Sequence, residues 1–276
     1  MDNDDAIVGT ILSRRQVFGM AAKTGFGLAF GGLLLTDSEA AFQEQAKKEV
    51  KLVASPAMTE GPFFVDEKLN RKDITEGTTR KAVIEALPLT LAIKVYKLTD
   101  GKFAPFPAAM VDIWHCDSIG VYSDENHPMN HENTAGQKWL RGYQMTDKNG
   151  LASFKTIYPG WYPGRTTHIH FKVRHTSGGT TKEFTSQLFF NDTEADKVFA
   201  KAPYKARGTR DARNTSDGIF MERQVSGTKA GDHLMLDTKA MKDGKGYEAS
   251  FVVALTDDNL RSGGGRRGGG FSSFGS

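Results

Sequence analysis

His168 and His170 stand two residues apart in His168-Ile169-His170-Phe171-Lys172-Val173-Arg174, a run that alternates polar with apolar residues. A period of two is a strand signature. It sends both imidazoles to one face, about 6.5–7 Å apart along the strand. Two imidazoles so placed can converge on one metal ion, although an isolated pair of this kind equally serves as a surface feature. Upstream, Tyr158-Pro159-Gly160-Trp161-Tyr162-Pro163-Gly164-Arg165 is a Pro/Gly-rich loop dense in aromatics. Earlier still, Trp114-His115-Cys116-Asp117-Ser118-Ile119-Gly120-Val121-Tyr122-Ser123 adds further aromatic and polar groups. Other chemistries lack their residues. The one cysteine, Cys116, excludes an intrachain disulfide framework and any multi-cysteine zinc or iron–sulfur site. No GxSxG elbow and no phosphate-cradling GxxxxGK[ST] loop occurs.

These groups need a scaffold, and the pattern around them predicts one made of strands. Residues 89–98, 109–115, 151–157, 168–174, 184–190, 233–237 and 247–255 are β-rich or alternating. Turn signals such as Thr99-Asp100-Gly101, Asp147-Lys148-Asn149-Gly150 and Ser177-Gly178-Gly179 separate several of them. Only residues 192–199 read as helix. Short strands spaced by turns predict an all-β chain, a β-sandwich of mostly antiparallel strands with long loops, over residues 41–260.

The two ends read differently. Ser13-Arg14-Arg15-Gln16-Val17-Phe18 precedes an uncharged, glycine-rich apolar run at residues 25–35, and Ser38-Glu39-Ala40 offers a small-x-small cleavage site. The run is short for a spanning helix. Residues 1–40 resemble a twin-arginine export signal, which implies passage through the Tat machinery and a periplasmic or secreted destination. Residues 261–276 form a Gly/Ser/Arg tail with too little apolar character to order itself. A net charge of +3 gives no support for a nucleic-acid partner.

Joined in order, the motifs resemble the intradiol ring-cleavage dioxygenases, the family of protocatechuate 3,4-dioxygenase and catechol 1,2-dioxygenase. The matching stretches begin with Thr59-Glu60-Gly61-Pro62-Phe63, Val111-Asp112-Ile113-Trp114-His115 and Gly120-Val121-Tyr122-Ser123. They continue through Arg141-Gly142-Tyr143, Thr146-Asp147 with Gly150, and Pro159-Gly160-Trp161-Tyr162. Arg165-Thr166-Thr167-His168-Ile169-His170-Phe171 and Thr185-Ser186-Gln187 complete the set. The resemblance implies a β-sandwich and a non-haem Fe(III) held by Tyr122, Tyr162, His168 and His170. It gives Tyr162 a second role as a base, puts Arg165 beside the substrate ring and makes Gln187 a hydrogen-bonding neighbour. The implied reaction cleaves a catechol between its two hydroxyl-bearing carbons with O2, giving a cis,cis-muconate-type diacid.

Tyr158 and Tyr143 are alternative phenols, Tyr158 read as packing or substrate-pocket wall and Tyr143 as a core residue with a satisfied hydroxyl. His115 is read as structural, and His127 and His131 as surface residues. Two features depart from the familiar enzymes. No helical dimerisation region of the catechol 1,2-dioxygenase kind fits before the core, so the chain resembles a single catalytic subunit of the protocatechuate type, with a homo-oligomer among the expected partners. Only six positions separate Tyr162 from His168, which makes the substrate less legible than the metal. A competing reading is an exported β-sandwich binding module with a vestigial metal site. A zinc hydrolase is disfavoured because no Asp or Glu accompanies the histidines in a ligand motif.

Overall fold

The computed structural model describes residues 52–262, so the expected export signal and residues 263–276 of the tail lie outside the described residues. The strands are β1 (Pro88–Thr99), β2 (Lys102–Pro105), β3 (Met110–Trp114), β4 (Arg141–Met145), β5 (Leu151–Ile157), β6 (His168–Ser177), β7 (Thr180–Phe189), β8 (Asp237–Ala240), β9 (Tyr247–Leu255) and β10 (Arg261–Ser262). The α-helices are α1 (Lys81–Ile84) and α2 (Asp192–Phe199). In the first sheet β9 runs parallel along one edge of β1 and carries β8 on its far side. The other edge of β1 is shared, β5 pairing with residues 88–94 and β2 with residues 96–99. The second sheet has the order β10-β7-β6-β3-β4, antiparallel throughout. The all-β sandwich expected from the strand pattern is the architecture observed.

Alternation makes the core. Leu89, Leu91, Ile93 and Val95 of β1 and Ile169, Phe171 and Val173 of β6 are all fully buried. Phe171 spans the sheets, its ring centroid 6.4 Å from that of Phe251 on β9. Each such side chain contributes about 1.5–3 kcal/mol through removal from water. The opposite set on β6 is His168, His170, Lys172 and Arg174. Alternation alone would leave these in solvent, yet the first three are buried.

The cover is the chain between residues 55 and 70. It first closes an edge of the sandwich, where Ser55 N–H donates to Ala254 O (2.9 Å) and Met58 N–H to Thr185 O (3.0 Å). It then crosses the outer face of the second sheet. Gln187 Nε2 donates to Thr59 O at 3.0 Å and Arg141 Nη1 to Phe63 O at 2.7 Å. Lys172 pairs with Glu60, and Arg174 with Asp66 at 2.9 Å. A sheet face read as polar is therefore an interior lined with charges and imidazoles.

Some expectations shift. The strand expected at residues 233–237 is a 3-10 turn (Ala230–His233) followed by β8 from Asp237. The alternating Leu234 and Leu236 seat in the core on either side of a single bridge from Met235 to Phe189. β2 and β4 were not expected. Each is short, and Arg141-Gly142-Tyr143 of β4 carries a glycine and little β-branching. Arg261 and Ser262, assigned by composition to the tail, pair with Glu183 and Lys182 as β10. Helix α2 was legible because its start is marked. Asn191 Oδ1 accepts from Thr193 N and Glu194 N, and Asp192 and Glu194 sit in the first turn.

Candidate metal centre

Three segments meet beneath the residue 55–70 cover. β6 supplies His168 and His170, both at most 3% exposed. The loop after β5 supplies Tyr162, and the loop after β3 supplies Tyr122, 4% and 1% exposed. The Tyr122 loop is fixed by its own polar groups. Asn130 accepts from Tyr122 N (2.7 Å) and donates back to Tyr122 O (3.0 Å), while Asp117 accepts from Ile119 N and Val121 N and pairs with Arg80.

Two glycines let the tyrosine loops touch backbone to backbone. Gly120 has φ +87°, and a Cβ there would lie 2.1 Å from Trp161 O. A Cβ at Gly160 would lie 2.5 Å from Ser118 O, and Gly160 N donates to Asp117 O at 3.0 Å. Only glycine fits either place.

The polar atoms converge. His168 Nε2 lies 3.1 Å from His170 Nε2 and 3.3 Å from Tyr162 Oη. The Tyr122 ring centroid is 5.7 Å from that of Tyr162 and 6.3 Å from that of His170. His168 Nδ1 donates to Thr166 O at 2.6 Å. A carbonyl only accepts, so the proton sits on Nδ1 and the free lone pair on Nε2 faces the cluster. The His170 ring is stacked under Trp114, centroids 5.0 Å apart and planes 9° from parallel. Tyr122 is stacked on Phe63 at 4.4 Å.

Burial sets the charges. It drives the pKa of both imidazoles well below the ordinary histidine value, with the Arg165 cation adding to the effect on each. It pushes the Tyr122 phenol well above 10 and Tyr162 up to about 12, the latter against the opposing pull of Arg165. Burial also raises the Cys116 thiol, with Asp117 adding to the shift, so no thiolate competes. The protein alone thus holds two neutral imidazoles and two protonated phenols. Tyr122 Oη is buried and lacks a hydrogen-bond partner, as does His170 Nδ1. An orphaned buried hydroxyl is costly. This set fits a cation, which would take the phenol oxygens as phenolates, hard anionic donors, beside two imidazole nitrogens. Among the described residues no three His, Cys, Asp or Glu side chains gather as a metal site. The cluster reaches four donors only because two are tyrosines.

Arg165 and Gln187 join the cluster. Arg165 Nη1 donates to Tyr162 Oη (3.4 Å) and Nη2 to Gln187 Oε1 (2.5 Å), while its Nε donates to Asp217 Oδ2 (2.9 Å). All six site residues named from the sequence are therefore brought together.

The other candidates lie elsewhere. Tyr158 packs in the core on Phe190, and Tyr143 is half-buried on β4 rather than in the core. His115 is buried, bonded to Cys116 O and Thr156 Oγ1, and burial lowers its pKa to about 4. His127 is exposed but lies edge-on to Phe63 at 5.9 Å. Asp217 was not foreseen. In sequence it is part of Ser216-Asp217-Gly218, which reads as an ordinary turn.

Residues 59–227 match the sequence profile of the family described as Dioxygenase, and the match covers every group just placed. The chain belongs to the intradiol ring-cleavage dioxygenases. A catechol 1,2-dioxygenase of Candida albicans is 30% identical over 124 residues, 38% of this chain and 39% of that protein, so the chain spans about two-fifths of that relative's length. An intradiol ring-cleavage dioxygenase from Tetranychus urticae superposes with a TM-score of 0.61 at 26% identity, covering 74% of this chain and 95% of that one. A second dioxygenase crystal structure gives a TM-score of 0.60, again at 26% identity and with the same coverage. In this dioxygenase the short link between Tyr162 and His168 leaves no slack. Tyr162 O accepts from Arg165 N (3.2 Å), and Thr166 O holds His168.

Proposed function

We propose that the chain is a ferric intradiol dioxygenase. It would hold a non-haem Fe(III) through Tyr122, Tyr162, His168 and His170 and cleave a catechol between its hydroxyl-bearing carbons with O2, giving a cis,cis-muconate-type diacid. The observation that carries the reading is the buried convergence of Tyr162 Oη, His168 Nε2 and His170 Nε2 within 3.1–3.3 Å, beside the unpartnered hydroxyl of Tyr122. When bound, the ferric ion would supply the charge that makes phenolates of both tyrosines and draws electron density from a chelated catechol.

The rest is the chain's own work. Tyr162 Oη stands within reach of Arg165, whose cation favours the anionic phenol. It is the atom placed to take a proton from an incoming catechol hydroxyl. Arg165 presents a fixed positive fork where negative charge develops on the ring. Gln187 uses both ends of its amide, accepting from Arg165 and donating to Thr59 O, so it holds the fork and ties it to the cover. Trp114 and Phe63 bury the faces of His170 and Tyr122 and keep water from the donors.

The partners are then a catechol-type aromatic and O2. The Arg14-Arg15 signal extends the proposal to a folded, metal-loaded protein exported to the periplasm or beyond. Product analysis under 18O2 tests the reaction, using iron-replete protein with catechol, protocatechuate, hydroxyquinol and substituted catechols. A muconate-type acid carrying label from O2 is expected. A yellow semialdehyde, from cleavage beside the diol, would refute the reading. Colourless protein without turnover after iron reconstitution would favour a binding module.

A further inference from the structure

The link from Tyr162 to His168 is gripped from outside by one loop. Asp211, Asn214 and Asp217 recur every third residue, and each takes hold of the segment Gly164-Arg165-Thr166. Asp211 Oδ2 accepts from Gly164 N at 3.1 Å, and Asn214 Oδ1 from Thr166 Oγ1 at 2.7 Å. Asp217 Oδ2 accepts from both Arg165 Nε and Thr166 N at 2.9 Å. The loop is itself anchored, since Asn214 Nδ2 donates to Phe190 O at 3.0 Å and Arg210 pairs with Asp192 and Asp196 of α2.

Asp217 is fully buried, and the Arg165 side chain is 13% exposed. A guanidinium bonded through Nε has its plane fixed, which leaves Nη1 and Nη2 to point where the fork dictates. Here they point to Tyr162 Oη and Gln187 Oε1. The second oxygen of Asp217 is occupied by Ile219 N (2.8 Å) and Phe220 N (3.2 Å), so the carboxylate cannot swing away.

We propose that Asp217 is the positioning residue for Arg165, and that the loop of residues 211–217 thereby sets the geometry of the substrate-facing side of the site. The assignment rests on the ferric dioxygenase reading for its consequence in turnover, and on the contacts alone for the coupling between the two residues. The side-chain oxygens of Asp217 bond to Arg165 Nε, Thr166 N, Ile219 N and Phe220 N, and to no donor atom of the cluster. Its effect on the substrate-facing side passes through the fork, while its bond to Thr166 N also steadies the residue whose carbonyl holds His168.

The test compares Asp217→Asn, Arg165→Leu and the double variant in the full iron-loaded chain. Four quantities are read: iron per chain, melting temperature, turnover, and the dissociation constant for 4-nitrocatechol, followed by its visible absorption. Asp217→Asn is expected to keep iron and the tyrosinate absorption band while losing turnover by about 10²-fold, the cost of a misplaced charge in an active site. Nitrocatechol affinity should fall with it. The double variant should bind and turn over no worse than Arg165→Leu alone. An iron-loaded Asp217→Asn with wild-type affinity and turnover would overturn the assignment, as would a full additional loss in the double variant.

If the single Asn variant fails to load iron, the melting temperatures decide. Arg165→Leu strands a buried carboxylate, so coupling predicts that the double variant melts no lower than Arg165→Leu. A double variant that melts below both singles would overturn the assignment. Should the wild type turn over no catechol, the proposed reaction fails, while nitrocatechol affinity and the melting comparison still decide Asp217.

Discussion

Replacing Tyr122 with Phe should change stability in opposite directions with and without metal. Tyr122 Oη is buried and makes no hydrogen bond of normal length, its one polar neighbour being the Tyr162 phenol, and Tyr158 Oη is buried without a partner. A buried hydroxyl without a partner costs about 1–3 kcal/mol, and its removal returns that amount. Phe keeps the ring, so the stacking of Tyr122 on Phe63 at 4.4 Å survives. Metal-free Tyr122→Phe is therefore expected to melt higher than the metal-free wild type, by about 2–4 °C for each kcal/mol in a chain of this size. In iron the sign reverses. The variant loses one of four donors, so it should hold little iron, lose its visible band and forgo the stabilisation that bound metal gives the wild type. Tyr158→Phe is the control. It removes an orphaned hydroxyl away from the cluster and against Phe190, so it should raise the melting temperature with and without iron and leave iron content unchanged. Calorimetry on chelated and reconstituted protein, with elemental iron analysis, reads all of this. Tyr122→Phe with a full complement of iron would remove Tyr122 from the ligand set. Bleaching by Tyr158→Phe would exchange the two tyrosines. A metal-free Tyr122→Phe that melts well below the wild type would show that the hydroxyl has a partner in the folded chain.

Iron loading should depend steeply on pH. Burial raises both phenols, so each proton lost on binding makes affinity rise about tenfold per pH unit, or about a hundredfold for two, until Tyr162 ionises near pH 12. The imidazoles, held well below their ordinary pKa, have no proton to lose at neutral pH. Competition against a ferric chelator between pH 6 and 8 measures the slope, and a flat response after correcting for the chelator would contradict the phenolate donors. Gly120→Ala should part the two tyrosine loops, because its Cβ would meet Trp161 O at 2.1 Å and its φ of +87° disfavours any side chain. Strain of about 1–3 kcal/mol comes from the backbone alone. A lower denaturant midpoint and loss of iron are expected, and an iron-loaded variant of wild-type midpoint would refute the close approach. Arg165→Leu should keep iron but cut turnover by about 10²-fold or more; loss of less than half the rate would mean that the fork does not face the reacting ring.

Much of this site was legible because its signals are local. His168 and His170 share a face by alternation, and alternation survives any tertiary context that keeps β6 a strand. The tyrosines were legible only through motif order. No periodicity connects Tyr122 with Tyr162, which are joined by a backbone contact at Gly120 and Gly160. The cover was harder. Thr59-Glu60-Gly61-Pro62-Phe63 was visible as a motif, but its task of burying a sheet face that reads as polar depends on partners more than a hundred residues away, such as Lys172 for Glu60.

Hardest was the loop of residues 211–217. Arg, Asp, Asn, Thr and Ser in such a stretch describe any solvated turn, and a carboxylate there is exposed by default. What makes Asp217 different is an arginine 52 positions earlier that needs a counter-charge inside the fold. A half-buried cation beside the Tyr162 phenol must be compensated without neutralising its effect on that phenol. The structure meets both demands by placing the anion at Nε and leaving the two Nη groups for Tyr162 and Gln187. The same division explains why Arg165 can be read from its motif while its partner cannot. The fork must meet a phenol and an amide of fixed chemistry, Tyr162 and Gln187, whereas its anchor needs only to be an acid that some loop delivers.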